Sequence, residues 1–284
     1  MSRFAYVGGR YLRQGDAQVS IEDRGYQFAD GVYEVIAVHR GHLVDRSLHL
    51  ERLDRSLAAL RIARPVSERV LLMILDRVVA LNRVTQGIVY LQITRGVARR
   101  DHTFAAGMCP QLVVTARRAK PIEPRLIEQG VAVISIPDQR WARCDIKSIS
   151  LLPNVLGKQA ARDVGAYEAW QIDAAGLVTE GTSTNAWIVT NDGAIVTRPA
   201  NHAILNGVTR LVVIEAAREA GLDFLERPFS LEEAKAAREA FITSTTSLVL
   251  PVTRLDGAPI GDGRPGSVTH ALRQRCLQQL ERLS

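Results

Sequence analysis

Apolar positions along the chain repeat with two different periods, and the switches between them mark out the elements. The first forty-odd residues read as strands and turns: a short strand near residues 4–7, a Gly8-Gly9 turn, and a stronger strand over 32–38. From Ser47 the spacing turns helical, with Leu50, Leu53, Leu57 and Leu60 on one face, and a second helix carries Val70, Ile74, Val78 and Leu81. Strands resume at 87–94, 111–116 and 131–136, and a helix is expected over 154–164. Strands at 166–172 and 186–189, a helix over 208–220, extended segments at 241–243 and 248–253, and a closing helix over 267–283 complete the pattern. Two prolines in Ala119-Lys120-Pro121-Ile122-Glu123-Pro124 resist both helix and sheet. Residues 119–124 are therefore expected to link an N-terminal domain (1–118) to a C-terminal domain (125–284). Strands and helices come in groups rather than as repeated strand-helix-strand units, which favours α+β, with a barrel-like sheet in the second domain, over a doubly wound fold. Gly261-Asp262-Gly263-Arg264-Pro265-Gly266 matches G-x-G-x-x-G, yet no βαβ unit follows it, so it reads as a loop entering the last helix.

With 46% hydrophobic and 23% charged residues among 284, the composition is that of a folded soluble chain with room for a large core. The start lacks a signal-peptide stretch and no apolar run is long enough to span a bilayer, so a cytoplasmic protein without membrane contact is expected. Cys109, Cys144 and Cys276 are scattered, which suits reduced thiols better than a disulfide framework or a metal site. His39, His42 and His49 span two elements without an acidic cluster, so no metal is expected there either. A net charge of +6 and a pI near 9.5 permit binding to anions, nucleic acid among them. The basic residues are nevertheless dispersed, with no basic and aromatic tract, and a non-catalytic nucleic-acid-binding protein is the weaker reading. Of the 36 basic residues only Lys120, Lys147, Lys158 and Lys235 are lysines. Arginine stays charged and does not form imines, whereas a desolvated lysine can, so an amine nucleophile has four candidates.

Lys147 precedes the apolar Leu151-Leu152, while the other three sit in a linker, among charges, or on a helix surface. Locally, Lys147 is either a nucleophile or a partner of a neighbour such as Asp145. Asn206-Gly207-Val208-Thr209 is either a capped helix start or an anion site built from free N–H groups, and 243–247 is either a hydroxyl-rich turn or a source of further donors. Glu180 reads as a turn carboxylate in a polar patch.

Several longer motifs occur together and in order: Glu22 through Val35 (EDRGYQFADGVYEV), His49-Leu50-Glu51-Arg52-Leu53, Arg143 through Ser148, Thr179-Glu180-Gly181, and Ile242 through Ser247. With these the chain resembles, over nearly its whole length, the class IV aminotransferases, pyridoxal-phosphate enzymes of fold type IV, and among them the D-amino acid transaminases. That resemblance implies a smaller N-terminal α/β domain, a C-terminal domain that binds pyridoxal 5′-phosphate, and transfer of an amino group from a D-amino acid to a 2-oxo acid. It makes Lys147 the catalytic residue bonded to the cofactor, and Glu180 the partner of the ring nitrogen. Arg52, Ser244, Thr245 and the Val208 and Thr209 amides become the phosphate ligands. Tyr33 and Arg100-Asp101-His102 resemble the carboxylate trap of the D-specific enzymes, with Arg100 and His102 supplied by the second subunit of a homodimer. Thr182 and Thr184 stand where serine is familiar, and Leu151-Leu152-Pro153-Asn154 is nearer the wider class. A branched-chain L-amino acid transaminase or an aminodeoxychorismate lyase on the same fold is the alternative.

Overall fold

Six segments before Lys120 pair into one antiparallel sheet: β1 (Phe4–Val7), β2 (Arg10–Arg13), β3 (Gly31–His39), β4 (His42–Leu43), β5 (Gln86–Thr94) and β6 (Gln111–Arg118), in the order β2-β1-β6-β5-β3-β4. The computed structural model describes residues 3–282 and divides into two units. The first runs to Lys120 and takes in Ile146–Ser150, and the second comprises Pro121–Asp145 and Leu151–Arg282. The sequence reading puts 146–150 in the C-terminal domain, whereas by packing it belongs with the first sheet.

Period-two alternation in β3 buries Val32, Glu34, Ile36 and Val38 and turns Tyr33, Val35 and Ala37 the other way. Against the buried face pack α2 (Arg46–Ala59) through Leu50, Leu53 and Leu57, and α3 (Glu68–Leu81) through Leu71, Ile74, Leu75, Val78 and Val79. Val70, expected in that stripe, is instead 42% exposed, since the helix turns its 71/74/75/78 face inward. A short helix, α1 (Arg24–Phe28), begins at Asp23, whose carboxylate accepts from the Gly25 N–H at 2.8 Å. Ile146 joins the core of this unit. Its neighbours run beside the start of β3, with Tyr33 N–H donating to Lys147 O at 3.0 Å and Ile149 N–H to Gly31 O at 3.1 Å. Such close passage requires glycine at 31, where a Cβ would lie 2.6 Å from Ile93 O and 3.1 Å from the Ile149 side chain.

The second unit is built on a nine-stranded mixed sheet curled into a half-barrel. Its strands are β7 (Val131–Pro137), β8 (Glu168–Ile172), β9 (Val178–Gly181), β10 (Asn185–Val189), β11 (Ile195–Thr197), β12 (Phe224–Glu226), β13 (Glu239–Ser244), β14 (Leu248–Leu255) and β15 (Ala258–Pro259). The order is β12-β11-β10-β13-β14-β7-β8-β9, with β15 on β14. Five helices accompany it: α4 (Pro124–Glu128), α5 (Leu152–Asp163), α6 (Val208–Glu219), α7 (Leu231–Lys235) and α8 (Ser267–Arg282). Near-continuous burial along β8, β10 and β13 fits a sheet covered on both faces. One core gathers Trp170, Ile188, Phe229, Ile242 and Leu250, and the other gathers Trp187, Phe241, Val213, Leu272 and Cys276. Trp187 and Phe241, opposite each other across β10 and β13, stack at 5.3 Å between centroids, and the indole N–H donates to Thr243 Oγ1. The G-x-G-x-x-G segment is the entry to α8: Val268 and Thr269 N–H groups donate to the Glu239 carboxylate, which caps the helix from β13.

Candidate active site

Lys147 is held by its backbone before its side chain makes any contact. Its N–H donates to Ser56 Oγ on α2 at 3.2 Å, its carbonyl accepts from Tyr33, and Val32 and Ser148 form a bridge. The Nζ then lies 4.2 Å from the centroid of the Tyr33 ring, which in turn stands 5.7 Å from Tyr90. Asp145, the sequence-adjacent partner considered for this lysine, is engaged by Arg143, with bonds of 2.9 Å from both Nε and Nη2. Among the described residues no carboxylate forms a salt bridge with Lys147. Of the other lysines, Lys158 lies 3.5 Å from Glu168 and Lys235 lies 3.6 Å from Glu232 and 3.8 Å from Asp256, while Lys120 is exposed.

On the opposite face of β3, Glu34 is fully buried between two residues of α2. Arg52 donates to it from Nε and Nη2, both at 2.7 Å, and His49 Nδ1 lies 2.8 Å from Oε2. Burial alone would raise the Glu34 pKa, but the charge and hydrogen bonds of Arg52, with help from His49, bring it down to about 2. His49 is displaced below its ordinary value chiefly by burial, with the Arg52 and Lys147 charges acting the same way against the pull of Glu34. Since an ionised carboxylate can only accept, His49 gives its Nδ1–H to Glu34. The sequence reading names His49 only in a motif and in a discounted metal triad and Glu34 only inside a motif, and foresees no pairing between them, although Glu34 stands in phase with Val32, Ile36 and Val38 and so had to be buried and paired.

Arg100 and His102, expected to grip a carboxylate, lie on an exposed loop and share the Phe28 ring: the Arg100 guanidinium is 4.5 Å from its centroid and the His102 ring 5.6 Å. These contacts do not bring them to Tyr33 or Lys147 within the described residues.

In the second unit Glu180 is on β9 and buried, not on a solvated turn. Its carboxylate accepts from Arg140 Nη1, from Asn185 Nδ2 at 3.0 Å, and from the Leu205 N–H at 3.1 Å to each oxygen. Asp138 binds Arg140 from the far side, and Thr179 Oγ1 donates to Asp138 at 2.8 Å. Burial would raise Asp138, but its hydrogen bonds and charge contact with Arg140 pull it below the usual range, while those same contacts outweigh burial and raise Arg140. Glu180 is thus gripped by donors from three segments. Arg140, Asn185 and Leu205 escaped the sequence reading because they are distant from Glu180 along the chain and follow no periodic signal.

Val208 and Thr209 open α6 after Gly207, whose side of the helix has no side-chain cap, and among the described residues neither N–H meets an acceptor. Gly207 is required by close approach, since a Cβ there would sit 2.3 Å from Asn185 Oδ1. Ser244 ends β13 and Thr245 opens the turn after it, both half-buried; Ser244 Oγ lies 2.8 Å from Ser247 Oγ and accepts from the Ser247 N–H at 3.2 Å. The second unit thus offers anion donors and a fixed carboxylate.

Residues 31–255 match the family described as amino-transferase class IV. The chain is 45% identical over 262 residues to a D-alanine aminotransferase of Bacillus licheniformis, covering 92% of this chain and 91% of that protein. Its structure is similar to a branched-chain amino acid aminotransferase from Escherichia coli, with a TM-score of 0.88 and 25% identity over 96% of this chain and 92% of that one. A hypothetical aminotransferase from Mycobacterium tuberculosis in a PLP-bound form aligns at TM-score 0.80 and 22% identity, covering 96% of each.

Proposed function

The chain belongs to the class IV aminotransferases, a pyridoxal-phosphate-dependent family, and from that premise we propose that it transfers the amino group of D-amino acids of the D-alanine type to 2-oxo acids. In this reading each part of the cofactor has residues in one unit or the other whose chemistry suits it. A phosphate suits the open N–H groups of Val208 and Thr209 with the hydroxyls of Ser244 and Thr245, and Arg52, oriented by Glu34, adds a guanidinium charge. A ring nitrogen kept protonated suits Glu180, whose carboxylate is fixed in place by Arg140 and Asn185. When bound, the cofactor supplies an aldehyde carbon for covalent attachment and a ring that draws electron density from the substrate Cα.

The observation that carries the reading is the seat of Lys147: backbone-pinned beside β3, without a salt bridge to any carboxylate among the described residues, its Nζ on the face of Tyr33. In this reading Lys147 takes the proton from the substrate Cα at its Nζ and returns it on the other side of the exchange. Tyr33, Arg100 and His102 fix the substrate carboxylate, and which face of Cα then meets Nζ sets the handedness. The same reading makes the working unit a homodimer in which Arg100 and His102 serve the neighbouring copy's site, and their common seat on Phe28 keeps the two together for that role.

Rapid mixing of cofactor-loaded protein with D-alanine is expected to discharge the visible cofactor band roughly 100-fold faster than mixing with L-leucine. Arg100→Ala should lower kcat/KM for D-alanine by about 10- to 100-fold while the cofactor stays bound. A faster reaction with L-leucine, or an Arg100→Ala enzyme indistinguishable on D-alanine, overturns the D-specific assignment.

A further inference from the structure

The stretch from Arg99 to Phe104 has no strand or helix to set its shape, yet it carries Arg100 and His102. Its shape comes from one side chain. Arg24, 4% exposed, sends Nη1 to Asp101 O at 2.6 Å and Thr103 O at 3.2 Å, and Nη2 to His102 O at 3.3 Å. Three successive carbonyls converging on one point repel each other, and a cation at the centre is what makes the turn stable. Asp101 closes the turn from outside, its Oδ1 accepting from Thr103 N at 2.9 Å and Thr103 Oγ1 at 3.0 Å.

Arg24 is itself immobilised. Its Nε donates to Asp30 Oδ2 at 2.8 Å, and Asp30 is also gripped by Arg95 from Nε at 2.8 Å and Nη2 at 2.9 Å. Its backbone N–H donates to Gly96 O at 2.9 Å, so helix and loop are joined at both ends of the residue. The guanidinium lies 4.8 Å from the centroid of Phe28, the ring that also carries Arg100 and His102. We propose that Arg24 is a positioning residue for substrate recognition: it shapes the 99–104 loop so that Arg100 and His102 face a carboxylate together. This rests on reading that pair as the carboxylate trap. Lysine cannot replace it, because one ammonium lacks the planar fork that reaches three carbonyls and Asp30 at once.

The test uses cofactor-loaded enzyme and two amine donors of the same hand, D-alanine and D-alaninol, the second having no carboxylate. Arg24→Gln is expected to lower kcat/KM for D-alanine about tenfold or more, mainly through KM, and to leave the single-turnover rate with D-alaninol unchanged. In an Arg100→Ala background Arg24→Gln should cost D-alanine much less than it costs the wild type, since only His102 is left for it to position. Arg24→Lys, which keeps the charge should the glutamine variant fail to fold, is expected to show the same substrate-selective loss. Equal losses with both donors, or a full additional loss on top of Arg100→Ala, overturn the proposal while leaving the trap intact. If Arg100→Ala alone spares D-alanine, the trap reading fails and the role of Arg24 falls with it.

Discussion

Glu34 shows how one carboxylate can be costly alone and stabilising in company. Buried on β3 beneath α2, it faces Arg52 through two hydrogen bonds, so neutralising it leaves a buried guanidinium without its counter-charge. Glu34→Gln, nearly isosteric, is expected to destabilise the protein by roughly 3 kcal/mol, read as a lower denaturant midpoint at neutral pH. The pH dependence has a definite sign. Because the folded pKa of about 2 lies below the ordinary 4.5, the contribution is complete above pH 4.5 and is lost as pH falls toward 2. The gap between wild type and variant should therefore close across that window, and a gap constant with pH would mean the carboxylate is not the source. At this scale the site was only half legible. Lys147, Glu180 and the α6 entry stood out by residue type and motif. Arg140 and the pairing of Glu34 with His49 did not, because pairing partners are fixed by three-dimensional register rather than by neighbours in sequence.

Elements were most legible where apolar periodicity is long. The β3, β5, β6, α2 and α3 segments follow it closely, because each buries one continuous face. The short α1 was read as strand or turn: five residues are too few for a helical repeat, and the Asp23 cap with Gly25 behind it was the only local cue. β9 was missed for another reason, since Thr179 and Glu180 look like turn residues until their buried partners are known. The entry to α8 makes the strongest element-scale prediction. A Cβ on Gly266 would fall 1.9 Å from Glu239 Cδ, the carboxylate that accepts from Val268 N, Thr269 N and Thr269 Oγ1. Gly266→Ala must displace that buried cap, and a loss of about 2–3 kcal/mol in unfolding free energy is expected. An unchanged midpoint would show that the cap is dispensable.

Across the whole molecule the basic excess is partly an interior property. Arg24, Arg52, Arg95, Arg210 and Arg273 are all buried, and four of them donate to backbone carbonyls, as Arg95 does to Leu60 and Arg61 and Arg273 to Ser247. Among the described residues no helix is long and apolar enough to cross a membrane. The three thiols report on the fold as a unit: Cys109 is exposed, Cys276 is buried, and Cys144 is buried with its pKa pushed to about 11, mainly by desolvation. Ellman titration of native protein should find one prompt thiol and release the other two only on unfolding; two or three prompt thiols would contradict the packing of β13, α8 and the 140s segment. The return of Ile146–Ser150 to the first unit has a consequence for synthesis. A ribosome that has made residues up to Lys120 has made all six strands of the first sheet, but not Ile146 for its core nor the bonds that Tyr33 and Gly31 make with the returning segment. At roughly 5–20 residues per second, the first unit must wait for translation to pass through Pro121–Asp145 before it can close. Lys147 is then among the last pieces delivered to it, and a chain truncated before that point cannot assemble the unit with Lys147 in its seat.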